Sequence, residues 1–236
     1  MMTIDVLLQW LRGPVFWAGL AFMVLGLGRH VAITIWGIIR TYRRAGDQTI
    51  PTRQVVSATL RWLFLVQGLK NRLLYGLNTL IFHISIILVP IFLAGHIVLW
   101  ERGIGISWPA LPNGLSTILT IVAIIAAVSI VIQRVLFKES RRLSRFQDLV
   151  MPLIVAIPFA TGFLVMHPAW NPFSHQFMLF LHVLSGDLLF FLIPITKLSH
   201  MVLLPGTQIV SELAWHFPAE SGSRVGEALG KANEPI

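Results

Sequence analysis

The sequence predicts an all-α protein: a polytopic membrane helix bundle with about five transmembrane helices, the N-terminus outside and the C-terminus in the cytoplasm. Three observations predict it. Of the 236 residues 56% are hydrophobic and 12% are charged, about half the ~25% charge of an ordinary soluble domain, and the mean hydropathy is +0.77. Five apolar runs are long enough to cross a ~30 Å hydrocarbon core, which takes roughly 20 helical residues, and lipid supplies no hydrogen bonds, so each run must be a helix. Finally, the basic residues gather between alternate runs, as membrane orientation requires.

The first span runs from about Pro14 to Ile39, with Pro14 suited to a first helical turn. The stretch before it has no basic n-region and no small-residue cleavage site, so the span is expected to be retained. The second runs from about Leu74 to Trp100 with Pro90 inside it, and the third from about Leu115 to Phe137 after the turn cluster Pro109, Pro112, Asn113 and Gly114. The fourth, about Leu149 to Met166, ends at His167-Pro168. The fifth, about Gln176 to Leu204, closes at Pro205-Gly206.

The first loop holds Arg40, Arg43, Arg44, Arg53, Arg61, Lys70 and Arg72 against Asp47, and the third holds Lys138, Arg141, Arg142 and Arg145. The second has Glu101 and Arg102, and the fourth, Pro168 to His175, has no Lys or Arg. This places the first and third loops in the cytoplasm. The charge of +8 is thus explained by orientation, and nucleic-acid binding is not expected. The domain reading is a transmembrane domain over residues 1–210, including a cytoplasmic loop at 40–73, and a polar cytoplasmic tail at 211–236 expected to be partly disordered or to order only against a partner. Within the loop, Val55 to Lys70 interleaves apolar and polar residues as an interfacial amphipathic helix does, either an anchor or a docking surface for a soluble subunit.

No cysteine is present, which excludes thiolate-held iron–sulfur clusters, covalent heme attachment and disulfides. A histidine inside a span is costly and marks a functional site by default. Of eight histidines, His30, His83, His96, His182 and His200 fall within or at the ends of spans, whereas His167, His175 and His216 are expected to be solvated or interfacial. His182 and His200 are 18 residues apart. On a continuous helix that is five turns, so both rings leave one face, roughly 27 Å apart. Such a helix offers one ligand to each of two stacked hemes. The second span, antiparallel to the fifth, offers His83 opposite His200 for an inner heme and His96 opposite His182 for an outer one. Two imidazoles per iron favour electron transfer over oxygen binding. The 13 residues from His83 to His96 make about 3.6 turns, so on a straight helix the rings diverge; a kink at Pro90 would reconcile them. His30 is the reserve ligand. Gly95 and Gly186 suit the approach of a flat macrocycle or equally of another helix. Lys197 suits heme propionates or the lipid headgroups, and Lys70 and Arg72 are weaker candidates of the same kind. The bland alternative for each histidine is a hydrogen bond to a neighbouring helix.

The run LHVLSGDLLFFLIPITKLSHMVLLP resembles the last helix of the gamma subunit of respiratory nitrate reductase: two histidines 18 apart, a proline before a basic residue, and an exit histidine followed by a proline. LIFHISIILVPIFLAGH is similar to that family's other ligand helix, and WLFLVQGLKNRLLYGLNTLIFH resembles the cytochrome b subunits that partner heterodisulfide-reductase-like iron–sulfur proteins, the membrane cytochrome b of the dissimilatory sulfite-reduction-linked complex among them. The longer His83–His96 spacing and first loop depart from the nitrate-reductase pattern. The resemblance implies a di-heme b-type cytochrome of a bacterial or archaeal cytoplasmic membrane, with His83, His96, His182 and His200 as axial ligands. It also implies exchange of electrons between a quinone (menaquinone or ubiquinone) and a cytoplasmic iron–sulfur subunit of a hetero-oligomeric complex, and a quinone site near His96, Glu101 and Arg102. The competing class is a non-redox transporter or assembly subunit, for which Asp187 is the main candidate proton carrier.

Overall fold

A computed structural model describes residues 3–44, 52–63, 73–214 and 221–232, all helix and connecting turns with no strand among them. The helices are α1 (Ile4–Trp10), α2 (Phe16–Arg44), α3 (Thr52–Leu63), α4 (Leu73–Phe92), α5 (Ala94–Ile104), α6 (Asn113–Leu136), α7 (Lys138–Leu143), α8 (Phe146–Met166), α9 (His175–Ile195), α10 (His200–Ala214) and α11 (Ser221–Ala228). Five helical segments are long and apolar enough to cross a membrane: Ile4–Arg43, Leu73–Phe92, Asn113–Leu136, Phe146–Met166 and His175–Ile195. The chain is a polytopic helical membrane protein. It divides into two compact units, residues 1–23 with 68–197 and residues 24–67 with 198–236.

In the first unit α6 packs between α4 and α8, α8 packs on α9, and α9 packs on α1. Small residues explain the closeness: Ala123, Ala126, Ala127 and Ser116 on α6 and Ser85 on α4 are buried, and Asn78 donates across to the Ala126 carbonyl at 3.4 Å. Without a hydrophobic drive between helices in lipid, such small interfaces and polar bridges hold spans together. The start of α8 is capped by Asp148, whose carboxylate accepts from the Arg145 backbone N–H at 2.9 Å. The start of α9 is capped by the Ser174 hydroxyl, which accepts from Phe177 N at 3.3 Å.

Three expectations change. The first span begins about ten residues earlier than expected, and Pro14 lies inside a π-helical turn, Leu11–Val15, rather than in a first turn. The wider turn absorbs the missing proline N–H while the helix continues. The second span is broken at Leu93, which is extended (φ −73°, ψ 129°). The fifth is interrupted just after Pro194: α9 ends at Ile195 and Thr196 is extended (φ −121°, ψ −177°). The five-turn relation of His182 to His200 presumed a continuous helix and does not hold, because the chain leaves helical geometry between them.

In the second unit α3 packs against α10 through buried Val55 and Thr59, leaving Val56 and Leu60 exposed. It is the expected amphipathic helix, described to Leu63, with its expected remainder to Lys70 outside the described residues. Pro205-Gly206 does not close a span. α10 passes through both and ends at Ala214, and Ser221–Ala228 is helical. Gly206 is where α10 meets Thr34 of α2 too closely for a Cβ.

Candidate heme-binding site

The break at Leu93 strands three successive carbonyls at the end of α4, and a helix end without partners is not tolerated in a membrane. Each finds a donor. The Pro90 carbonyl accepts from His96 Nδ1 at 3.0 Å, the Ile91 carbonyl from Trp108 Nε1 at 2.9 Å, and the Phe92 carbonyl from Leu111 N at 2.9 Å. The loop after α5 thus folds back to seal the break. Gly105 permits the return by ending α5 with φ 73°, a conformation that favours glycine. Trp108 and Leu111 escape sequence reasoning because the carbonyls they serve exist only once the helix is broken.

His182, on α9, is held the same way from α8. Its Nδ1 donates to the Pro158 carbonyl at 2.9 Å. The ring lies against Gly162, one turn on, where a Cβ would stand 2.9 Å from Cε1 and 3.1 Å from Nδ1. A carbonyl only accepts, so in both histidines Nδ1 carries the proton and Nε2 the lone pair. Metal-ligating histidines are oriented this way, with the second nitrogen bonded to a backbone carbonyl. The His96 and His182 rings come together with centroids 5.9 Å apart and planes within 8° of parallel.

The residues present fit a heme iron. Their separation is of the order that two imidazoles sharing one iron would show, with bonds of about 2 Å each. Among the described residues no three His, Cys, Asp or Glu side chains are grouped to hold a bare metal ion, whereas a porphyrin needs only two. At Gly95 and Gly186 no atom of the described residues lies within 4 Å of an added Cβ.

His83 is oriented similarly, its Nδ1 donating to the Thr79 carbonyl at 2.7 Å. It belongs to the first unit, whereas His200, exposed at the start of α10, and His30, on α2, belong to the second. His167 donates to the Phe163 carbonyl at 2.9 Å and stacks on that ring, and His175 is exposed. His216, Lys70 and Arg72 lie outside the described residues.

Lys197, a candidate for propionates or headgroups, instead grips Asp148 with Nζ at 2.6 and 2.8 Å from the two carboxylate oxygens, and Arg134 approaches the same group at 3.6 Å. An anion at Lys197 would have to compete with this carboxylate.

Glu101 and Arg102 are exposed on α5, beside a ring cluster absent from sequence reasoning. Trp17 meets Trp100 edge-on at 6.2 Å, Phe16 meets Phe190 at 5.6 Å, and Trp100 lies 6.2 Å from Trp108. Gly103 lets Trp17 settle where a Cβ would collide. Asp187 is 3% exposed, and its Oδ2 has no hydrogen-bond partner among the described residues.

No known family model and no solved structure matches the chain. A protein of Nitratidesulfovibrio vulgaris strain Hildenborough, described as "Protein", is 35% identical over 199 residues, covering 82% of this chain and 86% of that one. The chain belongs to the family of that Nitratidesulfovibrio vulgaris protein.

Proposed function

We propose that the chain is a di-heme b-type cytochrome subunit that moves electrons between the membrane quinone pool and a cytoplasmic iron–sulfur partner, as the quinol-oxidising module of a respiratory oxidoreductase in a bacterial or archaeal cytoplasmic membrane. The observation that carries the reading is the His96–His182 pair: two near-parallel imidazoles at 5.9 Å, each fixed through Nδ1 to a proline carbonyl. These two would hold one heme b through Nε2. For a second heme the reading rests on sequence, with His83 and His200 as ligands and His30 in reserve. When bound, heme supplies one-electron transfer.

The chain's own residues do the rest. The backbone carbonyls keep the two rings in one tautomer, so neither ligand reorganises during electron transfer. Exposed Glu101 and Arg102, one to two turns from His96 on α5, are placed to orient a quinol headgroup and accept its protons. Oxidation of quinol to quinone releases two electrons and two protons, the electrons leaving through the chain and the protons on the side of Glu101. The partner, heterodisulfide-reductase-like or nitrate-reductase-beta-like, would dock on the face of α3 that exposes Val56 and Leu60.

Purified protein is expected to carry about two b-type hemes per chain in a reduced-minus-oxidised spectrum. His96→Ala and His182→Ala should each remove one, and the same one. Heme content unchanged in both variants would sink the reading. Asp187, buried and with no partner for Oδ2 among the described residues, is the observation favouring the second reading, a non-redox membrane protein with a proton path; a folded, colourless preparation from heme-replete cells would decide for it.

A further inference from the structure

The inner half of α2 carries a feature that electron transfer does not use. Trp36, Arg40 and Arg43 are spaced four and three residues apart, which aligns them on one helix face. Together with Ile39 they line a cavity of about 180 Å³. Trp36 is 66% exposed and Ile39 40% exposed, and both arginines are exposed. Neither arginine forms an ion pair or side-chain hydrogen bond among the described residues.

Each side chain suits one layer of a membrane leaflet. An indole prefers the headgroup boundary, with its apolar body toward the acyl chains. Arg40 lies one turn beyond it, about 6 Å along the axis, at phosphate depth. Arg43 lies one further turn out, where polar headgroups end. Guanidinium groups bind phosphate through paired N–H donors in a fixed fork, and here two of them flank one cavity with no carboxylate among the described residues that line it. The basic stretch Lys138–Arg145 contrasts with it, because Glu139 lines that cavity with the cations.

We propose that Trp36, Arg40 and Arg43 form a binding site for one anionic phospholipid. The phosphate is held between the two guanidiniums, the glycerol and upper acyl chain lie against Trp36 and Ile39, and the site selects anionic over zwitterionic headgroups.

The test uses the full chain in detergent, offered phosphatidylglycerol, phosphatidylcholine or inorganic phosphate, with bound lipid counted by native mass spectrometry. Wild type is expected to retain phosphatidylglycerol over phosphatidylcholine by roughly thirtyfold, given that each basic residue near an anionic surface contributes about 1 kcal/mol. R40Q/R43Q should bring the ratio close to one, and R141Q/R142Q should leave it unchanged. If the double variant does not fold, R40Q and R43Q singly carry the test, each expected to lower the preference about fivefold. Equal retention of the two lipids by wild type, or a preference that survives R40Q/R43Q, would overturn the site. Displacement of the lipid by millimolar inorganic phosphate would overturn it too, by assigning the arginines to free phosphate. Heme content is read in the same samples, and its loss would leave the lipid result unaffected.

Discussion

Gly162 controls the His182 ring more directly than any polar neighbour. A Cβ there would stand 2.9 Å from Cε1, inside contact distance, and the ring cannot retreat without stretching its bond to the Pro158 carbonyl. Gly162→Ala should therefore destabilise the protein by about 1–3 kcal/mol, the usual effect of overpacking, and lower heme retention along with it. Thermal unfolding in detergent checks the first and the heme spectrum the second; an unshifted melting curve would show that the ring has room. The residue scale is also where sequence reasoning was most uneven. His96 and His182 stand out because a polar ring in a span demands a reason. Gly162, Trp108 and Leu111 have no such mark, since a glycine, an indole and an amide are ordinary until a helix end or a ring lies beside them.

At the scale of elements, two broken helices position the histidines. The break between α4 and α5 follows Pro90 by three residues, and its loose carbonyls bind His96, Trp108 and Leu111. With the helix broken there, helical periodicity no longer relates His83 to His96. Pro90→Ala removes the ring that clashes with the preceding turn and restores an N–H, so a continuous helix from Leu73 toward Ile104 becomes favourable. The expected result is equal or higher helicity by circular dichroism with loss of the His96-dependent heme. Unchanged heme binding would show that the loop after α5, not the proline, holds the break. The interruption after α9 was not read from the sequence although Pro194 stands just before it, and prolines are tolerated inside other helices of this protein, Pro152 and Pro158 in α8 and Pro205 in α10. Which proline ends a helix depends on whether neighbours satisfy the carbonyl it frees.

At the scale of the whole molecule, the loops carry an orientation that can be measured simply, because the chain has no cysteine. A single cysteine at Arg102 should react with a membrane-impermeant maleimide in intact cells, and one at Arg142 only after the membrane is opened, as basic loops on the cytoplasmic side require. The reverse pattern would invert the topology and move the proposed proton release to the other side. One carboxylate binds three elements of the first unit: Asp148 of α8 pairs with Lys197, just past α9, and approaches Arg134 of α6. These charges lay in plain view in the sequence, yet their pairing was not, because nothing in a linear chain places residue 148 beside residue 197.

What the sequence determined by itself was the membrane class, the existence and type of the spans, and the histidines worth examining. All three follow from composition and from the hydrogen-bonding demand of the backbone in lipid, which act on each segment separately. Only the tertiary structure decided where the helices break, that His96 and His182 meet while the continuous helix joining His182 to His200 does not exist, and which partner Lys197 takes. Those outcomes depend on which carbonyls, rings and charges from distant segments arrive at the same place, and helical periodicity holds no information about that once a helix is broken.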